Sequence, residues 1–270
     1  MPLRTDDVSS VVATPSRLRF VGLGDSLTQG VGDPSPGLAG FTGQLDGWVS
    51  HFVKAVRASG VAVDVSNFAS AGARLEHVVS DQLPKALANP ADIATCFIGI
   101  NDLWDANLDL DAFAQRFNLL FDHLAATFET VVTSSIHDVF APFPLRAPVR
   151  AKVNANIATM NAIIDATVHE HDLVLIDLAH RSDMFTSSVK AVDRLHPNRY
   201  GHQLIAAEVV RELEGAGRLS GVAAPVATPV RRGVQDLAHV AWVSGYVRHN
   251  WKRWRLEMAA AKAADTGHVR

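Results

Sequence analysis

Cysteine is almost absent from this chain: Cys96 is the single one among 270 residues, so no internal disulfide can form. It lies in the apolar run ADIATCFIGI and reads as a small buried residue rather than a reactive thiol. Long apolar stretches are lacking as well. None approaches the ~20 residues of a membrane span. The opening MPLRTDDVSSVVATPSRLRF has no apolar run of signal-peptide length and carries two aspartates. The expectation is a soluble, cytoplasmic protein. Excess positive charge is missing too. The formal net charge of −3 argues against a generic nucleic-acid partner. That balance is uneven, since residues 231–270 carry eight Lys/Arg against three Asp/Glu. Two phosphate signatures also fail. No G-x-x-x-x-G-K-[ST] occurs, and Gly22-x-Gly24 meets Leu27 where a dinucleotide turn needs its third glycine.

The hydrophobic fraction is 48%, and the length suits one α/β domain of roughly 200 residues plus an extension. Apolar, β-branched runs alternate with helical patterns. Arg17–Gly24 reads as a central strand, and a helix is expected from about Gly43 to Ser59. Further strands are read in VAVDVSNFAS, DIATCFIGIND, TVVTSSI and LVLIDLA. Helices are read in LEHVVSDQLPKAL (broken or kinked at Pro84), LDAFAQRFNLLFDHLAATF, a long segment opened by Pro148, and PNRYGHQLIAAEVVREL with Pro197 in its first turn. The alternation implies a parallel sheet covered on both faces, and such sheets carry their sites at the carboxyl ends of the strands. The domain is expected over 17–215, after an N-terminal extension 1–16. A small-residue linker covers 216–233 and a basic amphipathic C-terminal helix and tail 234–270, with Val234, Leu237, Ala241, Val247, Trp251, Trp254 and Met258 near one face.

The strand ends hold the residue types that a serine nucleophile requires: a base, a group that orients the base, and oxyanion donors. Ser26 follows Gly24-Asp25 after the first strand, where it reads as nucleophile or as helix cap. Gly72 in SAG offers an unobstructed backbone N–H. Asn101 in GIND offers a side-chain amide. Asp193 and His196 are three apart in DRLH, close enough for the carboxylate to set the imidazole tautomer. His202 is a rival base, but it falls inside a helical pattern.

In this order GDSLTQG, SAG, GIND and DRLH resemble the four sequence blocks of the GDSL/SGNH hydrolases, and the resemblance spans about residues 17–214. It implies a flavodoxin-like three-layer α/β/α sandwich with a five-stranded parallel sheet of order 2-1-3-4-5. It implies a serine esterase or lipase that needs no cofactor and no metal. Ser26 would be nucleophile, His196 base and Asp193 its orienter, with an oxyanion hole from Ser26, Gly72 and Asn101. An open, shallow cleft is usual in the family and favours short acyl chains. An acyltransferase using the same serine is one alternative. A nonhydrolytic protein that docks through its C-terminal helix is another.

Asp25, Trp104 and His137 are the candidate substrate contacts, with the loop from His137 to Pro148 as a candidate rim. His169 to Asp172, HEHD, looks metal-like, but its spacing fits no common ligand pair. Around 234–258 aromatic residues (Trp242, Tyr246, Trp251, Trp254) alternate with Arg248, Lys252, Arg253 and Arg255. That pattern suits packing on the domain, a homo-oligomer contact, or peripheral attachment to an anionic membrane.

Overall fold

A computed structural model describes residues 16–105, 107–141, 143–181, 186–230, 233 and 236–245. Tyr246, Val247, Arg248, Trp251, Lys252, Arg253, Trp254, Arg255 and Met258, together with Val234, lie outside these residues.

Strands β1 (Arg17–Gly24), β2 (Ala62–Asn67), β3 (Ile93–Phe97), β4 (Thr130–Ser134) and β5 (Val174–Ile176) form one sheet ordered β2-β1-β3-β4-β5. Every pairing is parallel. The helices are α1 (Ser26–Gln29), α2 (Leu38–Phe41), α3 (Gly47–Ala58), α4 (Leu75–His77), α5 (Leu83–Leu87), α6 (Leu110–Thr127), α7 (Ala147–His171) and α8 (Arg199–Gly215). A further helix covers 236–245.

The two-residue period of a strand divides the core. From β1, Leu18 and Phe20 pack with Trp48, Phe52 and Val56 of α3 and Val209, Val210 and Leu213 of α8. Val21 and Leu23, on the opposite face, pack with Phe117, Phe121 and Leu124 of α6 and Met160 and Ile164 of α7. All five residues of β3 are buried, as expected for the middle of a doubly covered sheet. Cys96 is among them, and burial pushes its thiol pKa well up, which leaves it protonated and unreactive.

Two proline expectations change. Pro84 does not break the helical path. A π-helical turn at Val78–Gln82 precedes it and joins α4 to α5. The Leu83 N–H reaches back to the Val78 carbonyl, so the wider turn comes just before a residue without an N–H to give. Pro197 is not in the first turn of α8. It pairs with Lys190 in an isolated antiparallel bridge, and Asn198 is the N-cap, accepting from the Gly201 N–H at 3.1 Å.

Beyond α8, Leu219 and Val222 are buried against the α3–α8 core. The helix at 236–245 turns Ala238 and His239 inward, whereas Leu237 is 63% exposed and Ala241 faces solvent. The apolar face expected from Leu237 and Ala241 is therefore not the docked one. None of the described helices is long and apolar enough to cross a membrane.

Candidate active site

The turn after β1 is built around Gly24. Its φ is +129° and an added Cβ would run into the Phe97 carbonyl oxygen, so only glycine fits. Asp25 then caps α1, its Oδ1 accepting from the Leu27 N–H at 2.9 Å. Because Asp25 takes the capping role, Ser26 stands at the first helical position with its hydroxyl available. Its Oγ lies 2.9 Å from His196 Nε2.

His196 is held from behind. Its Nδ1 donates to Asp193 Oδ2 at 2.7 Å, which leaves Nε2 to accept from the serine hydroxyl. Asp193 Oδ1 accepts from the Leu195 and His196 N–H groups at 2.9 and 3.0 Å. The His196 and His239 hydrogen bonds outweigh the cost of burial and hold the Asp193 carboxyl far below the usual carboxylate range, so it is ionised at any working pH. Ser26 of GDSLTQG and the Asp193/His196 pair of DRLH, far apart in the sequence, are thus one hydrogen-bonded chain.

Asn101 follows β3, and its Nδ2 donates to the Ala73 carbonyl at 3.0 Å and to Asp25 Oδ2 at 3.3 Å. Gly72 has φ +75° and sits in the turn after β2, beside Ala71, whose N–H donates to Gln29 Oε1. Asp25 is buried, and desolvation raises its pKa to about 7. Its two oxygens serve Leu27 and Asn101. These contacts link the Ser26 turn to the Asn101 amide.

Ser26, Asn101 and His196 line a pocket of about 60 Å³, walled by Phe97, Ile100, Trp104, Ile136, His137, Val139, Leu178 and Leu195. His137 is buried in that wall, where desolvation and the nearby Lys190 hold its pKa well below the ordinary imidazole value. It is therefore neutral. Trp104 is 54% exposed and packs on Phe140 at 4.5 Å between ring centres. The loop after His137 is tied down by Arg150, which donates to Asp138 and to the Phe140 and Phe143 carbonyls.

His202 is excluded as the base. Its Nδ1 accepts from the Trp48 N–H and its Nε2 donates to the Val31 carbonyl. Both nitrogens are spent, and burial lowers its pKa to about 4. The HEHD segment ends α7, with Asp172 in a left-handed cap.

Two residues at the site were not found in the sequence. Gln82, buried in the π-helical turn, accepts from the Gly24 N–H at 2.8 Å and donates to its carbonyl at 2.9 Å. A polar residue in the buried register of a helical run is its only sequence signal. His239 donates from Nε2 to Asp193 Oδ2 at 2.8 Å, and no spacing in the sequence points across that distance. Ligand atoms of Asp193, His196 and His239 lie within 4.8 Å of one another. Imidazole N–H donation to one carboxylate oxygen accounts for that spacing without an ion.

The loop after α1 sets how closely the two halves meet. A Cβ at Gly32 (φ +102°) would strike the Pro197 carbonyl oxygen. Beside it the buried Asp33 accepts from His51 at 2.7 Å and from Arg199 Nε at 2.8 Å.

Comparison with known proteins agrees with this fold. The uncharacterized protein YpmR of Bacillus subtilis is 25% identical over 227 residues, covering 76% of this chain and 84% of that protein. Among solved structures, the acetylxylan esterase Axe2 of Geobacillus stearothermophilus superposes with a TM-score of 0.57 at 19% identity, covering 73% of this chain and 94% of its own. LAE5, an alpha/beta hydrolase enzyme from the metagenome of Lake Arreo, Spain, gives 0.58 at 21%, with coverages of 76% and 97%. At such identities these two structures establish the fold. The model of the GDSL-like Lipase/Acylhydrolase family matches residues 23–204, a span that runs from the end of β1 to within α8 and contains Ser26, Asn101, Asp193 and His196. The chain belongs to that family, and is a carboxylic ester hydrolase.

Proposed function

We propose that the protein hydrolyses carboxylic esters of short acyl chains through an acyl-enzyme on Ser26. The observation that carries this reading is the Ser26–His196–Asp193 chain, with donor–acceptor distances of 2.9 and 2.7 Å. His196 Nε2 takes the hydroxyl proton as Ser26 Oγ attacks the ester carbonyl, and Asp193 stabilises the imidazolium that forms. The tetrahedral oxyanion is met by the backbone N–H groups of Ser26 and Gly72 and by Asn101 Nδ2, which exchanges its longer bond to Asp25 Oδ2 for the oxyanion. The C–O bond to the alcohol breaks, and the alcohol leaves with the proton from His196. A water molecule, deprotonated by His196, then attacks the acyl-serine, and the acid departs as Ser26 regains its proton.

Pocket size supports the short acyl preference. The space beside Ser26 is small, about 60 Å³, and walled mainly by apolar side chains, which suits a short acyl group better than a long one. Ser26→Ala is expected to remove at least about 10⁴-fold of the turnover of p-nitrophenyl acetate with an unchanged circular dichroism spectrum. Turnover is expected to decline from butyrate to octanoate in the parent protein. Undiminished hydrolysis by the folded alanine variant overturns the assignment of Ser26.

A further inference from the structure

We infer that His239, carried by the C-terminal helix, is a positioning residue of the catalytic site: it holds Asp193 in place for His196, so the docked helix completes the enzyme. The inference rests on the serine mechanism above.

Asp193 Oδ2 accepts two imidazole N–H groups, from His196 at 2.7 Å and from His239 at 2.8 Å. The His239 ring is 2% exposed, and its Nδ1 has no hydrogen-bond partner. A carboxylate only accepts, so the proton of His239 must reside on Nε2. Its one polar contact is thus spent on the catalytic carboxylate. Burying an imidazole for a single bond is costly unless that bond goes to a charge. Trp242, one helical turn on, lies nearly parallel to the ring at 7°, which fixes its plane. The helix meanwhile leaves Leu237 and Val240 exposed. Its docked face is thus organised around the His239 contact with Asp193 and not around an apolar stripe. Residue 239 is 46 positions from Asp193 and lies beyond the 23–204 span of the family match, so the contact is made by a segment outside that match.

Among the described residues, the charged or titratable groups facing Asp193 are His196 on its own loop, His239 from the C-terminal helix and Lys190 ahead of that loop. Removing the His239 donor leaves the carboxylate charge shared less and directed more at His196, and it frees the carboxylate to rotate. In the full-length protein, His239→Phe keeps the ring and its packing on Trp242 but has no donor. We expect kcat on p-nitrophenyl acetate to fall by about tenfold or more, the worth of one hydrogen bond to a charged group. KM stays within about twofold, and the acid limb of kcat/KM moves to higher pH. In His239→Gln the amide nitrogen reaches the place of Nε2, and most of kcat and the original pH profile return. Thermal transitions of both variants show whether the fold is intact. If His239→Phe and His239→Gln lose activity equally, or if a folded His239→Phe keeps full kcat and pH profile, the inference falls. Ser26→Ala separates the two readings: an inactive Ser26→Ala beside a fully active His239→Phe overturns only the role of His239.

Discussion

At the scale of single residues, the Ser26–His196–Asp193 chain is made possible by division of labour in three consecutive positions. Gly24 supplies a turn no side chain permits, Asp25 caps the helix, and Ser26 is left with its hydroxyl toward His196. Asp25 also makes the protein sensitive to pH. Its pKa in the fold is about 7, raised chiefly by burial, whereas in an unfolded chain it is about 3.9. The folded state therefore holds this proton more tightly than the unfolded state. The stabilisation is complete below the unfolded pKa and is lost as pH rises through the folded one. Urea titrations of Asp25→Asn, which keeps a capping side chain, are expected to show this. Between about pH 5 and pH 8 the parent should lose stability relative to the variant. A constant difference across that range would mean that Asp25 is ionised throughout. Ser26, Asn101, Asp193 and His196 were legible in the sequence because each follows a strand or precedes a helix in a short polar block. His239 was not, because a lone histidine among apolar residues says nothing about a carboxylate it meets only after folding.

At the scale of elements, the site depends on helices whose boundaries depart from simple periodicity. The π-helical turn at Val78–Gln82 lets the chain pass Pro84 and at the same place delivers the Gln82 amide to both polar groups of Gly24. The sequence showed Pro84 as a break or kink, since the missing N–H is visible there and the compensating wide turn is not. Gln82→Leu keeps the bulk but leaves the buried Gly24 N–H unpaired. We expect a loss of about 1–3 kcal/mol in unfolding free energy, together with a lower kcat as the Ser26 turn loosens. An unchanged urea midpoint would show that the clamp is dispensable. The start of α8 follows the same logic: Asn198 caps it, and Pro197 is released to the bridge with Lys190, which carries His196 to the edge of the sheet.

At the scale of the whole molecule, one sheet with two apolar layers holds the strand ends in register, and a buried polar cluster joins the first and last thirds of the chain. Asp33, fully buried, accepts from His51 of α3 and from Arg199 of α8, and its pKa is lowered by the His51 hydrogen bond and by His202 and Arg199 against the cost of burial. Asp33→Ala takes the acceptor of the His51 ring and leaves the Arg199 guanidinium only the Pro34 carbonyl and the more distant Asp46. A loss of about 3–5 kcal/mol is expected, the usual cost of breaking a buried pair by removing one partner, with a fall in activity because the same cluster presses the Gly32 loop against Pro197. A calorimetric transition within 2 °C of the parent, about the shift of under 1 kcal/mol, would contradict this.

Local chemistry determined a good deal here without any tertiary information. Strand and helix alternation follows from the spacing of apolar residues, the parallel sheet follows from strands that are apolar on both sides, and the short polar blocks mark the edge where chemistry occurs. Tertiary structure alone decided which imidazoles reach which acceptors. His202 is a rival base in the sequence, set below His196 only by its helical pattern, and folding spends both its nitrogens on Trp48 and Val31. The sequence left the helix that carries His239 open to domain packing, a homo-oligomer contact or a membrane surface, and folding sets His239 2.8 Å from Asp193. The physical reason is range: periodicity and capping act over a few residues, whereas a hydrogen bond across 46 positions exists only once the core has placed both ends.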